Sequence, residues 1–225
     1  MLVLCVVVRK LISTNMTAMY NFQDAPLGFY DSVQDTFGRE ITFNDYLNAT
    51  APRYLQGQEK RSLPCITVGG VFNRRKLGGL IKPSGIVQVD IDAKDNGHVT
   101  DWERVKQAAA MVDGLELMVA ISASGSGVFG LYFDPLLLLA FEQRGADAYL
   151  VEQKKLADCL TDEVEQLTGC VADRSVVNRP NGLRFVTADK NPVVFIEEME
   201  MAVPCLVEYF EPTSKSVLSS CKSIN

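Results

Sequence analysis

Residues 85–92 read GIVQVDID, and this stretch decides how the chain folds. Its β-branched residues, with apolar side chains on both faces, predict a central strand of a sheet. Because alternate residues of a strand point the same way, Asp90 and Asp92 share one face and Ile91 lies on the other. Two carboxylates this close repel each other unless a cation lies between them. The pair therefore indicates either a divalent-cation site or two solvated acids at the end of a strand.

The pattern around this strand predicts an α+β fold with a central, largely antiparallel sheet and packed helices. A helix is expected over 101–112, with Thr100 as N-cap and Glu103 completing a capping box. Another helix is expected from about 146 to 167. A short helix is expected within 41–56. Further strands are expected at the opening MLVLCVVV segment and at residues 64–72, 116–122, 128–133, 182–187 and 192–197.

Three regions are expected along the chain. Residues 1–62 form an N-terminal lead-in packed on the core, residues 63–212 form the core, and residues 213–225 form a flexible Ser/Lys-rich tail. The net charge of −6 argues against a chain that coats nucleic acid non-specifically, although a local basic groove remains compatible with it. The six cysteines show no zinc-type spacing and suit a reducing compartment.

No apolar run approaches the length of a membrane span, and the opening segment lacks the features of an export signal. The sequence therefore predicts a cytoplasmic protein without a membrane partner.

Asp173 follows a short apolar stretch after the long helix and could supply a third carboxylate. Hard oxygen ligands of this kind are what Mg²⁺ or Mn²⁺ prefers. A rival interpretation treats Asp92 to Glu103 as a calcium loop, because Asn96 and Gly97 occupy its fifth and sixth positions. Lys94 argues against that interpretation, since it brings a positive charge to a ligand position.

Two further stretches are candidates for anion binding. The loop SASGSG joins two predicted strands and exposes backbone N–H groups that can cradle a phosphate chain, although Gly/Ser hairpins are also common for structural reasons. Arginines follow Asp173, and each is either a phosphate ligand or one half of a surface salt bridge. Before the Asp-x-Asp strand lies a basic cluster, interpreted equally well as a nucleic-acid track or a solvated loop: Arg74, Arg75, Lys76 and Lys82.

In this order, the segments SGIVQVDID, ISASGSGVFGLYF and VADRSVVNRPNGLRFVTADKNPVVF resemble the archaeo-eukaryotic primase superfamily. More narrowly, they resemble the primase-polymerase domains that precede virulence-associated E-type helicases in phages and mobile elements. The resemblance covers roughly residues 60–197. It implies a palm-type fold with an RRM-like sheet and a DNA primase or polymerase activity, that is, template-directed nucleotidyl transfer during DNA replication.

The resemblance also implies roles for particular residues. Asp90, Asp92 and Asp173 would be catalytic and hold Mg²⁺ or Mn²⁺. The partners would be a single-stranded DNA template, nucleoside triphosphates and a replicative helicase. The triphosphate would be bound by the loop and by two arginines: Ser122, Ser124, Gly125, Ser126, Gly127, Arg179 and Arg184.

Two departures from the family pattern leave an alternative open. Phe129 stands where the family usually has a histidine, and Ser126 stands where relatives often have lysine. Both changes remove a phosphate donor, and the lone His98 is expected on the surface. The alternative is a catalytically weakened module that binds single-stranded DNA or docks a helicase.

Overall fold

The computed structural model describes residues 20–112, 116–177 and 179–195. Five α-helices run over Phe43–Asn48 (α1), Gly57–Arg61 (α2), Trp102–Ala109 (α3), Pro135–Arg144 (α4) and Ala146–Thr168 (α5). The strands are Pro26–Tyr30 (β1), Arg39–Thr42 (β2), Cys65–Thr67 (β3), Gly70–Phe72 (β4), Leu80–Pro83 (β5), Ile86–Asp92 (β6), Glu116–Ile121 (β7), Gly127–Phe133 (β8), Leu183–Phe185 (β9) and Val193–Val194 (β10). Short 3₁₀ turns lie at Phe22–Asp24, Asn73–Arg75 and Leu77–Gly79.

These strands form two four-stranded sheets and one hairpin. The first sheet has the order β2-β1-β3-β9, the second has the order β10-β7-β8-β6, and β4 pairs with β5. All the strand pairs described are antiparallel. In the second sheet β8 lies between β6 and β7, which are linked through α3, so these elements form a split β-α-β unit.

The second sheet is covered on both faces. One face packs on the first sheet through a cluster that includes Leu27, Ile66, Phe129 and Leu131. The other face packs on α3 and α5 through a second cluster that includes Val89. The result is three layers, and β6 lies in the middle one. This explains why its sequence is apolar on both faces over most of its length.

The expected α+β class and the antiparallel pairing are confirmed, but the strands are divided between two sheets. The expected strand 64–72 is interrupted, because the chain turns between Thr67 and Gly70. At Gly70 φ is +135°, and a Cβ would lie 2.1 Å from the carbonyl oxygen of Lys82. The chain therefore doubles back into the β4–β5 hairpin, where the sequence indicated only a basic connection.

The predicted N-cap of α3 is wrong by one residue. The Asp101 side chain accepts a hydrogen bond from the backbone N–H of Arg104 at 3.0 Å, and the helix starts at Trp102. Aspartate is as good an N-cap as threonine, so the local pattern fitted both residues. Helix α4 was not anticipated, although Asp134 caps it and Pro135 occupies its first turn.

The lead-in contributes more than the expected short helix, which is α1. Residues 26–42 supply β1 and β2 to the same sheet as β3 and β9. The expected opening strand and the expected tail both lie outside the described residues. Within the described part of the chain, no helix combines the length and apolar character needed to cross a membrane.

Candidate functional site

The candidate site lies at the end of β6, on the face directed toward the first sheet. Val87, Val89 and Ile91 are buried against the helices, so the alternate residues Gln88, Asp90 and Asp92 face the other way. Asp90 and Asp92 therefore share a face, as the sequence indicated. Both are partly buried, with side-chain exposures of 14% and 32%.

Asp173 reaches this strand end from the segment that follows α5. The helix ends at Thr168, and its C-cap Gly169 has φ +68° in the left-handed region. The Asn96 side chain then binds Val171 twice, donating from Nδ2 to its carbonyl oxygen at 2.7 Å and accepting its N–H at 2.8 Å. The backbone N–H of Asp173 donates to the carbonyl oxygen of Asp90 at 2.7 Å. The structure thus brings all three predicted acids to one place.

Lys94 lies between two of these acids. Its Nζ is 2.9 Å from Oδ2 of Asp173 and 3.3 Å from Oδ2 of Asp92. Hydrogen bonding to Asp173 raises the pKa of Lys94, so the ammonium stays charged. Partial burial acts to raise the pKa of Asp173, but hydrogen bonds from Lys94 and Ser175 outweigh it and hold this pKa below its usual value. The pair therefore stays ionised near neutral pH.

Arg184 reaches the site from β9 in the first sheet. Its guanidinium lies 2.8 Å from Oδ2 of Asp90, and its Nε donates to Oε1 of Gln88 at 3.1 Å. The guanidinium carbon also lies 4.7 Å from the ring centroid of Phe129. Burial acts to lower the pKa of Arg184, but the Asp90 carboxylate outweighs this and raises it. The two sheets are thus joined at the site by a buried, charged contact.

Phe129 occupies the strand position that faces Asp90. It pairs with Asp90 across β6 and β8 and is almost completely buried. Its ring supports the Arg184 guanidinium, which explains why an aromatic side chain fits here. A phenylalanine donates no hydrogen bond to a phosphate.

The SASGSG loop lies beside Asp92. Gly127 pairs with Asp92 across the strands, and the Ser122 N–H donates to the Gly127 carbonyl at 2.9 Å. The hydroxyls form a short chain, with 2.9 Å between Ser122 and Ser124 and 3.3 Å from Ser126 to Ser124. Gly125, at φ +75°, forms the tight turn of the loop. The last residue of the loop, Gly127, therefore lies directly opposite Asp92.

A buried network fixes the base of this loop. The carboxylate of Asp189 accepts the Ile121 N–H at 2.8 Å and pairs with Lys106 at 3.1 Å. Thr187 donates to the Ile121 carbonyl at 2.5 Å, so both backbone groups of the residue before Ser122 are held. Burial acts to lower the pKa of Lys106, but Glu103 and Asp189 outweigh it, so the net shift is upward.

Sequence reasoning missed several of these residues. Lys94 was noticed only as a misfit in a calcium loop, and Lys106 and Gln88 gave no signal. Lys60 of α2 was also missed: its Nζ lies 5.3 Å from the Phe185 ring centroid. Burial and then the charge of Arg184 lower the pKa of Lys60, whereas Asp90 and Asp92 act to raise it, so Lys60 lies within the electrostatic field of the site.

The other predicted anion-binding arginine lies elsewhere on the surface. Arg179 is exposed and shapes a turn, since its N–H donates to Val176 and its carbonyl accepts from Gly182. Among the residues that the structure describes, no hydrogen bond or ion pair joins its side chain to the acids. Arg174 belongs to a salt-bridge cluster on α5, with Asp162 at 2.7 Å and Glu165 as its second partner.

The basic cluster occupies the β4–β5 hairpin and its turn. Arg74 and Arg75 lie over the rings of Phe37 and Tyr30, at 5.1 Å and 5.2 Å from the ring centroids. Lys82 pairs with Glu40 of β2 at 2.8 Å, and Lys76 is exposed. The Asn181 side chain donates to the Arg75 carbonyl at 2.6 Å. The hairpin is thereby tied to the segment that leads into β9 and Arg184.

Across residues 20–112, 116–177 and 179–195, no group of three or more His, Cys, Asp or Glu side chains has the spacing of a metal site. The two cations described above hold the acids instead. The calcium-loop interpretation conflicts with the geometry, because Lys94 lies among the acids and the Asn96 side chain is bound to Val171 and to the Asp92 carbonyl. His98 is exposed, as expected.

Comparison with known proteins gives one result. Residues 58–132 match the family described as BT4734-like, N-terminal domain. This stretch is about a third of the chain and includes β6, the SASGSG loop and most of β8, but neither Asp173 nor Arg184. No curated protein and no solved structure matches the chain.

Proposed function

We propose that this protein is a metal-dependent nucleotidyltransferase of the primase-polymerase type, with the palm-like design of the archaeo-eukaryotic primase superfamily. The observation that supports this most directly is the convergence of Asp90, Asp92 and Asp173 from two distant parts of the chain. The second support is the SASGSG loop, which meets Asp92 across β6 and β8. An acidic cluster beside a glycine-serine loop is suited to a triphosphate with its divalent ion.

The residues fit a divalent ion by their chemistry. Their carboxylate oxygens are the hard ligands that Mg²⁺ and Mn²⁺ prefer. Lys94 already compensates one of the two negative charges of Asp92 and Asp173, and its exposed side chain has room to leave toward solvent. When bound, the ions would activate a 3′-hydroxyl and neutralise the leaving pyrophosphate.

The chain's own groups would orient the substrate. The backbone and hydroxyl donors of Ser122 to Gly127 would bind the triphosphate oxygens. Arg184 holds the Asp90 carboxylate in place by contacting both of its oxygens. The basic hairpin would bind template phosphates. A replicative helicase is the further partner that this type of protein would serve.

A second function is favoured by different observations. Phe129 fills the position of a phosphate donor, and the serine hydroxyls of the loop already bind one another. Lys94 supplies one positive charge between Asp92 and Asp173, and Arg184 balances the charge of Asp90. These features suit a weakened module of the same fold that binds single-stranded DNA or docks a helicase without catalysis.

The two functions are separated by a nucleotide-incorporation assay. Labelled nucleotides are supplied with primed and unprimed single-stranded templates, with Mg²⁺ and with Mn²⁺. Incorporation that Asp92→Asn abolishes, and that Asp147→Asn on the exposed face of α5 leaves intact, is the expected result. Metal-dependent incorporation that survives Asp92→Asn contradicts the assignment. Absence of incorporation, together with salt-sensitive binding of single strands, establishes the weakened module instead.

A further inference from the structure

Phe37 is exposed beside the basic hairpin. It lies between β1 and β2 and is 66% exposed, among the highest values for a large apolar residue in the described chain. The guanidinium carbon of Arg74 lies 5.1 Å from its ring centroid. Unlike a buried aromatic residue, this ring presents an apolar face to solvent, and an adjacent cation keeps it in place.

Neighbouring arginines also stack on aromatic rings, but those rings are buried. Arg39 lies 4.4 Å from the ring centroid of Phe29. Arg75 covers Tyr30 in the same way. Phe29 and Tyr30 are 8% and 1% exposed, so neither offers a face to a ligand. Within this group of arginine–aromatic stacks, Phe37 alone is accessible.

The backbone beside Phe37 is strained. Arg74 and Arg75 have φ +54° and +52°, the only non-glycine residues of the described chain in the left-handed region. Side chains with a Cβ disfavour this conformation, and such outliers cluster at binding sites. The hydrogen bond from Asn181 to the Arg75 carbonyl holds the conformation in place. With this conformation, Arg74 lies over the ring of Phe37 and Arg75 lies over the ring of Tyr30.

The charge around Phe37 suits a polyanion. Arg74 and Arg75 have no carboxylate partner within salt-bridge distance among the described residues, and Lys76 is exposed in the same turn. Lys82 at the edge of the hairpin is balanced by Glu40. The chain as a whole is acidic, with net charge −6, so this group of cations differs in sign from the rest of the molecule.

We propose that Phe37 is a stacking platform for a base of single-stranded nucleic acid, and that Arg74, Arg75 and Lys76 bind the adjoining phosphates. Here "Phe37 platform" denotes these four residues. Bases of a single strand expose their π-faces, whereas those of a duplex are stacked inside, so an exposed ring beside cations selects single strands. The inference rests on the proposed function, because it identifies the Phe37 platform as the surface that binds the template strand.

The test compares an intact fluorescent oligothymidylate with an abasic oligonucleotide of the same length, using fluorescence anisotropy and the full chain. Phe37→Ala and Phe37→Leu are expected to weaken binding of the intact strand by about tenfold, since one stacked base contributes on that order. Both variants should bind the abasic strand like the parent, and Phe37→Trp should restore binding of the intact strand. Met111→Ala, at another exposed apolar residue, is the matched control and should change nothing.

The phosphate contribution is measured through salt dependence. Arg74→Ala is expected to reduce the slope of log K against log salt by roughly 0.7, one phosphate of a single strand, on both oligonucleotides. Equal losses on the intact and abasic strands in Phe37→Ala would overturn the stacking role. So would a loss in Met111→Ala as large as that in Phe37→Ala, or no binding of the intact strand at low salt.

Failure of this inference is distinguishable from failure of the proposed function. If incorporation is lost in Asp92→Asn but strand binding is unchanged in Phe37→Ala, only the role of the Phe37 platform is rejected. Strand binding that depends on Phe37 without incorporation under any metal would keep the platform and reject the polymerising activity.

Discussion

The Nζ of Lys94 lies 2.9 Å from a carboxylate oxygen of Asp173 and also contacts Asp92 at 3.3 Å. The chain therefore places its own cation between two acids that would otherwise repel each other. A divalent ion that uses both carboxylates must displace this ammonium. Lys94 would therefore oppose metal binding at the proposed site, and it stabilises the two acids when no metal is bound.

Lys94→Met is accordingly expected to tighten Mn²⁺ binding. Removing a competing charge at contact distance is worth about 1 kcal/mol when water screens the pair, which is about fivefold in affinity. Isothermal titration with Mn²⁺ measures the change directly. Lys154→Met, at an exposed lysine on α5, is the matched control. Equal Mn²⁺ affinity in all three proteins would show that Lys94 does not compete for the acids.

The stability of the protein should depend very differently on the two acids of β6. Asp90 pairs with Arg184, and the side chains of this pair are 14% and 10% exposed. Removing one partner of a buried pair strands the other charge, which costs roughly 3–5 kcal/mol. Asp90→Ala is therefore expected to lower the free energy of unfolding by that amount in urea denaturation.

Asp92 provides the comparison for this experiment. Its partner Lys94 is 59% exposed, so water can solvate the stranded ammonium. Asp92→Ala should cost under about 1 kcal/mol. The double variant Asp90→Ala/Arg184→Met should recover part of the loss seen with Asp90→Ala alone. Similar costs for Asp90→Ala and Asp92→Ala would contradict the buried contact between the sheets.

Local pattern predicted the parts of the site that lie in one strand or one hairpin. The apolar run before Asp90 and Asp92 determined the strand and the shared face of the acids. The Gly/Ser composition of residues 122–127 predicted the hairpin loop. These features depend on periods of two residues and on turn chemistry, which a single sequence contains.

The parts that were missed depend on contacts between distant segments. The sequence suggested Arg184 as a phosphate ligand but gave no sign that it would pair with Asp90, 94 residues away. Nothing in the sequence showed that Lys94 would turn back onto Asp92 and Asp173. The division into two sheets could not be predicted for the same reason. Short strands such as β9 are stabilised by tertiary packing, which local sequence does not show.

The ion pair of Asp173 predicts a specific dependence of stability on pH. The pKa of this carboxyl is lowered in the folded state, so its stabilisation is present above the unfolded pKa of about 3.9 and is lost as pH falls through the folded value. The stability difference between the parent and Asp173→Asn should therefore shrink as pH falls from 6 toward 2.5. Urea denaturation across this pH range measures it.

Lys94→Met is the control for the source of this effect. It removes the ammonium and leaves the hydrogen bond from the Ser175 N–H to Oδ1 of Asp173, at 2.9 Å. The pH-dependent difference caused by Asp173→Asn should be smaller in the Lys94→Met background. A difference that is constant with pH would show that the Asp173 carboxyl is not held ionised by its neighbours.

The close approach of the loop to the acids should depend on Gly127. Its φ is +150°, and a Cβ would lie 2.6 Å from the carbonyl oxygen of Ile91, a backbone atom of β6 that cannot rotate away. Gly127→Ala is therefore expected to push β8 from β6 next to Asp92 and to lower the free energy of unfolding by about 1–3 kcal/mol. Gly97→Ala, where no atom lies within 4 Å of the added carbon, should change it by less than about 0.5 kcal/mol. Urea denaturation compares the two variants, and equal stabilities would mean that the strands tolerate a side chain here, so that the loop is not held against the acids by backbone contact.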